Sequence, residues 1–427
     1  MSLADLSAAE LTALHEELTT KYEELKAAGL KLDLTRGKPS SEQLDLSSAL
    51  LSLPGQDHTT DSSGTDVRNY GGLQGLAEIR EIFGELLGIP AAQLIAADNS
   101  SLSIMHDSLV FSLLHGRPAG AGVTGEPWAG QRVKVLCPTP GYDRHFALSQ
   151  ELGFELIPVD LNADGPDLET VKKLVAEDPQ IKGIWVVPTY ANPNGAIYST
   201  EVTRELVSMP TAADDFTILW DNAYAVHHLT DDEIKPVDVL GLAAEAGNPD
   251  RVFVYASSSK ITFAGAGVSF FGGSPDVVAW YLSHLGKRTI GPDKVNQLRH
   301  ALFLKDADGV RDLMRKHRAV ISPKFAAVQQ ILAERLGSYD VASWTEPHGG
   351  YFISLDVAEG TATEVVRLAK EAGVALTPAG SAYPYGKDPA DRNIRIAPTF
   401  PPLDQVTAAI EGLTTCVLLA AVTRQLG

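Results

Sequence analysis

Apolar positions along the chain follow two rhythms. Near the start, Leu6, Leu11, Leu14, Leu18, Tyr22 and Leu25 recur at helical spacing among acidic and polar residues, which predicts an amphipathic N-terminal helix. Ser7, three residues before Glu10, is a capping-box pair that would open it, and Gly29 would stop it. From about residue 70 the rhythm changes. Short apolar runs at 133–136, 154–159, 184–187, 217–220 and 252–255 read as strands, with helical stretches such as 168–176 and 201–207 between several of them. Apolar strands alternating with amphipathic helices predict an α/β fold with a mostly parallel sheet.

The stretch 40–69 is rich in Ser, Thr, Asp and Gly and reads as an extended connection. Beyond residue 310 a helix at 311–336 leads to a strand at 351–355, a helix at 363–372, a strand around 393–397 and a last helix from Leu403. This predicts a large domain over 51–310 and a smaller α+β domain built from 1–50 and 311–427.

Composition narrows the possible partners. The 427 residues include 35 Lys+Arg and 54 Asp+Glu, so the formal net charge is 35 − 54 = −19. That balance argues against nucleic acid and anionic membrane, which both reward basic patches. Two cysteines, Cys137 and Cys416, are too few for a disulfide framework or a thiolate metal cage. The start lacks the basic and apolar segments of a secretory signal, and the run 417–422 is far shorter than the ~20 residues of a membrane span. The expectation is a cytoplasmic protein with no metal.

In open α/β sheets ligands bind beyond the carboxyl ends of the strands. The run 184–187 is followed by Pro188-Thr189-Tyr190-Ala191-Asn192-Pro193-Asn194-Gly195, the run 217–220 by Asp221-Asn222-Ala223-Tyr224, and the run 252–255 by Ala256-Ser257-Ser258-Ser259-Lys260. Singly these have bland readings: a turn at Asn192, a helix cap at Asp221, a solvated loop lysine at Lys260. Together they form a chemical set. A lysine can condense with an aldehyde, a carboxylate can keep a pyridine nitrogen protonated, and an Asn with a Tyr can hydrogen-bond a phenolic oxygen.

The order Asn-Pro-x-Gly, Asp-x-Ala-Tyr, Ser-x-Ser-Lys resembles the class I, fold-type I pyridoxal-phosphate aminotransferases, the aspartate aminotransferase family. Three further segments carry the same resemblance: Arg68-Asn69-Tyr70-Gly71-Gly72-Leu73-Gln74-Gly75-Leu76 with Ile79-Arg80, Pro347-His348-Gly349-Gly350-Tyr351-Phe352, and Asn393-Ile394-Arg395-Ile396. The resemblance implies a transaminase acting on an L-amino acid and a 2-oxo acid, aspartate or glutamate with 2-oxoglutarate or oxaloacetate. It also implies pyridoxal 5′-phosphate and a homodimer with shared active sites. Lys260 would hold the cofactor aldehyde as an imine and shuttle the proton. Asp221 would pair with the pyridine nitrogen, and Asn192 and Tyr224 with the ring oxygen. Tyr70 would reach the phosphate of the neighbouring subunit, and Arg395, near Gly37 and Lys38, would clamp the substrate carboxylate.

Ser100 and Ser101, where a helix opens, are the expected phosphate donors together with Ser257; the alternative is a plain N-cap serine. Tyr142 either stacks on the cofactor ring or packs a turn. The family's arginine shortly after the lysine is missing from Ile261-Thr262-Phe263-Ala264-Gly265-Ala266-Gly267-Val268, which suggests a divergent subgroup. A distal substrate carboxylate would need a second cation, with Arg36, Lys38, Arg144 and a partner-supplied Arg288 as candidates. Other readings are an aminotransferase for aromatic, 2-aminoadipate or other amino acids, a lyase on the same scaffold, and a ligand-sensing regulator domain. The last needs a DNA-binding module, and the roughly thirty-five residues before Arg36 read as one acidic helix.

Overall fold

The computed structural model describes residues 2–120 and 122–427. Its centre is an eight-stranded sheet of β1 (Leu94–Ala97), β2 (Lys134–Thr139), β3 (Glu155–Asn162), β4 (Gly165–Pro166), β5 (Ile181–Val186), β6 (Thr217–Asp221), β7 (Val252–Ser257) and β8 (Ser269–Gly272). The strands lie in the order β1-β8-β7-β6-β5-β2-β3-β4. Neighbours from β7 across to β3 are parallel, and β1, β8 and β4 pair antiparallel at the flanks. The central strands read as unbroken apolar runs because both faces are covered. Ile184, Ile218, Trp220 and Val254 pack into a core on one face, while Trp185, Leu219 and Phe253 pack into another on the opposite face.

A third core joins the two ends of the chain. Leu11, Leu18 and Tyr22 of the helix Ala8–Ala27 share it with Leu332 and Leu336 of the helix Ala307–Leu336 and with Ile410, Leu413 and Val417 of the helix Leu403–Leu426. A three-stranded antiparallel sheet, Ala342–Trp344, Ile353–Val357 and Asn393–Ile396, belongs to the same region. Leu32–Asp33 pairs in parallel with Val374–Ala375. The helix Leu403–Leu426 is long and apolar enough by composition to cross a membrane, and most of it is buried in this core.

The capping box forms: Ser7 Oγ accepts from the Glu10 amide and Glu10 Oε2 accepts from the Ser7 amide. Three expectations need correction. The stretch 40–69 is not extended throughout, since a Ser40–Gln43 capping box starts the short helix Ser41–Asp45 and a 3-10 turn follows at Ser48–Ser52. The flanking strands β1 and β8 were not expected, being four-residue runs. Among the described residues no helix starts at Ala223, where the chain makes a turn, so Asp221 is not a helix cap.

Candidate active site

Because β5, β6 and β7 are parallel and in register, their carboxyl ends meet along one edge. Val186 faces Trp220, and Asp221 faces Tyr255. The segments leaving these strands carry Asn192, Tyr224 and Lys260 into one cavity of about 490 Å³, which Tyr142, Gly37, Lys38 and Arg395 also line. Gly37 is required by close approach: a Cβ there would overlap the Phe352 ring, another part of the cavity wall.

Asp221 is 3% exposed. Its Oδ2 accepts from His145 Nε2 at 2.9 Å, whereas Oδ1 has no hydrogen-bond partner among the described residues. His145 is fixed in turn by stacking on Trp185, with centroids 4.0 Å apart and planes at 6°, and Tyr142 meets it edge-on at 4.9 Å. A buried carboxylate with one open oxygen calls for a donor, since an unsatisfied buried charge is costly.

Lys260 Nζ lies 4.8 Å from the centroid of the Tyr224 ring. Burial pushes the lysine pKa below its ordinary value, and Asp221 pulls it back up. That combination favours a nucleophilic amine. Burial drives the Tyr224 phenol well above its ordinary value and the Tyr142 phenol up to about 12, so both stay protonated donors.

Arg395 is 8% exposed. Its Nη1 donates to Asp143 Oδ1 at 3.1 Å and to Asn192 Oδ1 at 3.4 Å, Nη2 reaches Thr377 Oγ1 at 3.5 Å, and the guanidinium sits 5.0 Å above the Phe352 ring. Nε has no hydrogen-bond partner among the described residues. The fork thus keeps unused donor capacity for a carboxylate.

Ser100 stands at the N-cap of the helix Ser101–His115 without making a side-chain cap bond, so the plain-cap reading fails. Asp98 O accepts from the Ser269 amide at 3.2 Å, and Ser269 faces Ser257 across β7 and β8, which draws the helix start toward the strand end preceding Lys260. Ser257 Oγ accepts from the Ser259 amide at 3.4 Å. Val268, at the end of the stretch that lacks the arginine, is fully buried, and its amide donates to Ser258 Oγ at 2.9 Å. Tyr70 is 80% exposed and does not line the Lys260 cavity. The carbonyls on either side of it, of Asn69 and Gly71, each accept from Lys294 Nζ at 2.7 Å.

Arg36, Lys38 and Arg144 line the Lys260 cavity, but Arg288 does not. It borders a separate cavity and is matched by Asp98 at 2.5 Å and Asp107 at 2.7 Å. Sequence reasoning missed His145, Trp185, Asp143 and Thr377. The one available signal was that His145 follows Tyr142 by three residues, which puts it one helical turn on at the start of the helix Asp143–Glu151.

A family model described as aspartate amino-transferase matches residues 6–427. A Mycolicibacterium smegmatis protein named as an aminotransferase is 62% identical over 431 residues, covering 100% of both chains. The aspartate aminotransferase of Corynebacterium glutamicum is 52% identical over 422 residues, 99% of this chain and 96% of that one. The crystal structure of an aspartate transaminase from that organism superposes with a TM-score of 0.96 over 99% of each chain. The α-aminoadipate aminotransferase LysN of Thermus thermophilus, at 19% identity and a TM-score of 0.74 over 92% of this chain and 93% of its own, shares the fold. From the strand-edge lysine and aspartate to the full-length match, the chain belongs to the aspartate amino-transferase family and is a transaminase.

Proposed function

We propose that this transaminase uses pyridoxal 5′-phosphate to move an amino group between L-aspartate or L-glutamate and 2-oxoglutarate or oxaloacetate, as a cytoplasmic homodimer. The observation that carries the reading is the buried Asp221 carboxylate, tethered through one oxygen by His145 and open at the other, within electrostatic reach of Lys260. A protonated pyridine nitrogen would satisfy that open oxygen. The bound cofactor supplies an electron sink for the carbanion left when the substrate Cα loses its proton.

The remaining work falls to the chain. Lys260 Nζ would hold the cofactor aldehyde, and its amine is placed to take up and return a proton at the substrate Cα. Asn192 and Tyr224 would hydrogen-bond the ring oxygen, and Tyr142, on the same cavity wall, would pack on the ring. Ser100, Ser101 and Ser257 offer donors to the phosphate where the helix start adds its partial positive charge. Arg395 takes the α-carboxylate. Tyr70, on a turn whose flanking carbonyls Lys294 holds, would reach the phosphate of the neighbouring subunit. In this reading residues 51–310 form the cofactor-binding domain, and 1–50 with 311–427 form the smaller one; the core that joins the two ends of the chain supports the latter grouping.

The test is a pair of half-reactions on protein loaded with cofactor. Aspartate should shift the visible absorbance, and 2-oxoglutarate should restore it. Release of CO₂ or ammonia without an oxo acid would make the protein a lyase instead.

A further inference from the structure

Three buried polar side chains meet behind Lys260, and none of them lines its cavity. Gln43, in the short helix Ser41–Asp45, and His317, in the helix Ala307–Leu336, are fully buried, as is Tyr351, just before the strand Ile353–Val357. All three come from the two ends of the chain, whereas Lys260 sits in the turn that follows β7. Polar groups at this depth are costly unless each finds a partner.

Their hydrogen bonds run in one direction. Gln43 Oε1 accepts from the Ser40 amide at 3.0 Å, which fixes the orientation of the side-chain amide. Gln43 Nε2 then gives one hydrogen to His317 Nδ1 at 2.9 Å and the other to the Tyr351 hydroxyl at 3.0 Å. Tyr351 in turn donates its own proton to the Lys260 carbonyl at 3.4 Å. The rings of Tyr224 and His227 pack around Tyr351, with centroids 6.0 and 5.5 Å away. Just beyond the lysine, the Ile261 and Thr262 amides both donate to Ser258 O at 2.9 Å. The turn is therefore held by its own backbone on one side and by Tyr351 on the other. Gly37 and Lys38, which do line the cavity, belong to the segment that leads into Gln43.

We infer that Gln43 and Tyr351 are positioning residues for the reaction at Lys260: they hold the lysine's carbonyl from behind and so set where its amine stands in the cavity, without touching substrate or cofactor. An amine that exchanges a proton with a substrate carbon works over a narrow range of positions, and a displacement of about 1 Å is enough to slow the step. Linked hydrogen bonds of this kind act as a unit, so losing either member releases the carbonyl. The inference rests on Lys260 as the residue that holds the cofactor, and adds what holds Lys260.

The test compares Gln43→Met, Tyr351→Phe and the double variant with wild type, each loaded with cofactor. Each single variant should lower kcat for aspartate by about fivefold or more with KM within about threefold, and the double variant should be no slower than the slower single one, because both act in one chain. Ser40→Ala removes the hydroxyl that caps the same short helix but keeps the Gln43 side-chain amide, so it should lower Tm without slowing turnover. Amide hydrogen exchange over 258–262 should quicken in Gln43→Met and Tyr351→Phe and not in Ser40→Ala. The inference is overturned if Tyr351→Phe turns over at the wild-type rate, if the two single losses multiply, or if Ser40→Ala slows turnover equally. A borohydride-fixed adduct that survives in Lys260→Ala would instead overturn the reading beneath it, whatever these variants do.

Discussion

His145 Nε2 and Asp221 Oδ2 lie 2.9 Å apart in a site almost closed to solvent, although 76 residues separate them in the chain. The strand end fixes the aspartate, and the first turn of a helix brings up the histidine. Removing the histidine leaves Oδ2 of a buried carboxylate without its partner. His145→Ala should therefore lower kcat at least tenfold, about 1.4 kcal/mol of barrier, and weaken cofactor retention. Turnover and cofactor titration near those of wild type would show that Asp221 needs no such tether.

Lys260→Ala should abolish covalent attachment of the cofactor, because among the described residues Lys38 is the one other amine lining the cavity, and it rests on the Phe400 ring. Borohydride treatment followed by mass analysis checks this. A reduced adduct surviving in the variant would locate the nucleophile elsewhere.

Arg395→Lys keeps a charge but loses the planar fork that Asp143, Asn192 and Thr377 hold in place. A loss of roughly 100-fold in kcat/KM, about 2.7 kcal/mol, is expected for every amino acid substrate alike. A loss confined to dicarboxylic substrates would place the α-carboxylate on a different group.

Gly37→Ala would drive a methyl group into the Phe352 ring, which lies under Arg395. Overpacking of this kind costs about 1–3 kcal/mol. A lower Tm and a higher KM should appear together, and Gly37→Ala with Phe352→Leu should recover part of both. Failure of the second change to recover either would mean that the ring is not the obstacle.

Acid should destabilise the fold in a defined window. His300 and His317 are buried and held neutral by desolvation, each pushed down from 6.5 to about 4. His300 Nε2 meets Thr262 Oγ1 at 2.9 Å and His317 Nδ1 meets Gln43 Nε2 at 2.9 Å. The unfolded chain binds these protons first, so stability is present above pH 6.5 and is lost as pH falls toward 4, by up to a few kcal/mol in all. Denaturant unfolding at pH 7 and pH 5 measures the loss, and His317→Asn should flatten it.

The strand-end chemistry was legible because parallel strands place the residues that follow them on one edge whatever the rest of the chain does. Asn192, Tyr224 and Lys260 needed only that rule to be brought into one cavity. What was not legible depends on long-range packing. Asp143 meets Arg395 across 252 residues, and Gln43 meets His317 across 274, with no local pattern to announce either contact. Arg288 could be taken for a specificity residue because its two acidic partners, Asp98 and Asp107, lie nearly two hundred residues upstream. The short strands β1 and β8 escaped notice because Leu-Ile-Ala-Ala fits helix or strand equally well and Ser-Phe-Phe-Gly is too short to show an alternation.

Tyr190, with φ +54°, stands two residues before Asn192; its hydroxyl is 2.7 Å from His228 Nδ1, and its ring fills the space where Gly349 has no side chain. Gly350 N also donates to His227 O at 2.8 Å, and Leu229 N to His348 O at 2.9 Å. The loop carrying Asn192, the turn after Tyr224 and the segment leading to Phe352 are therefore keyed to one another like tumblers in a lock. None can shift by an ångström without the other two. Any chain that enlarges position 349 must shrink position 190 at the same time, so a change at the one has to wait for a change at the other.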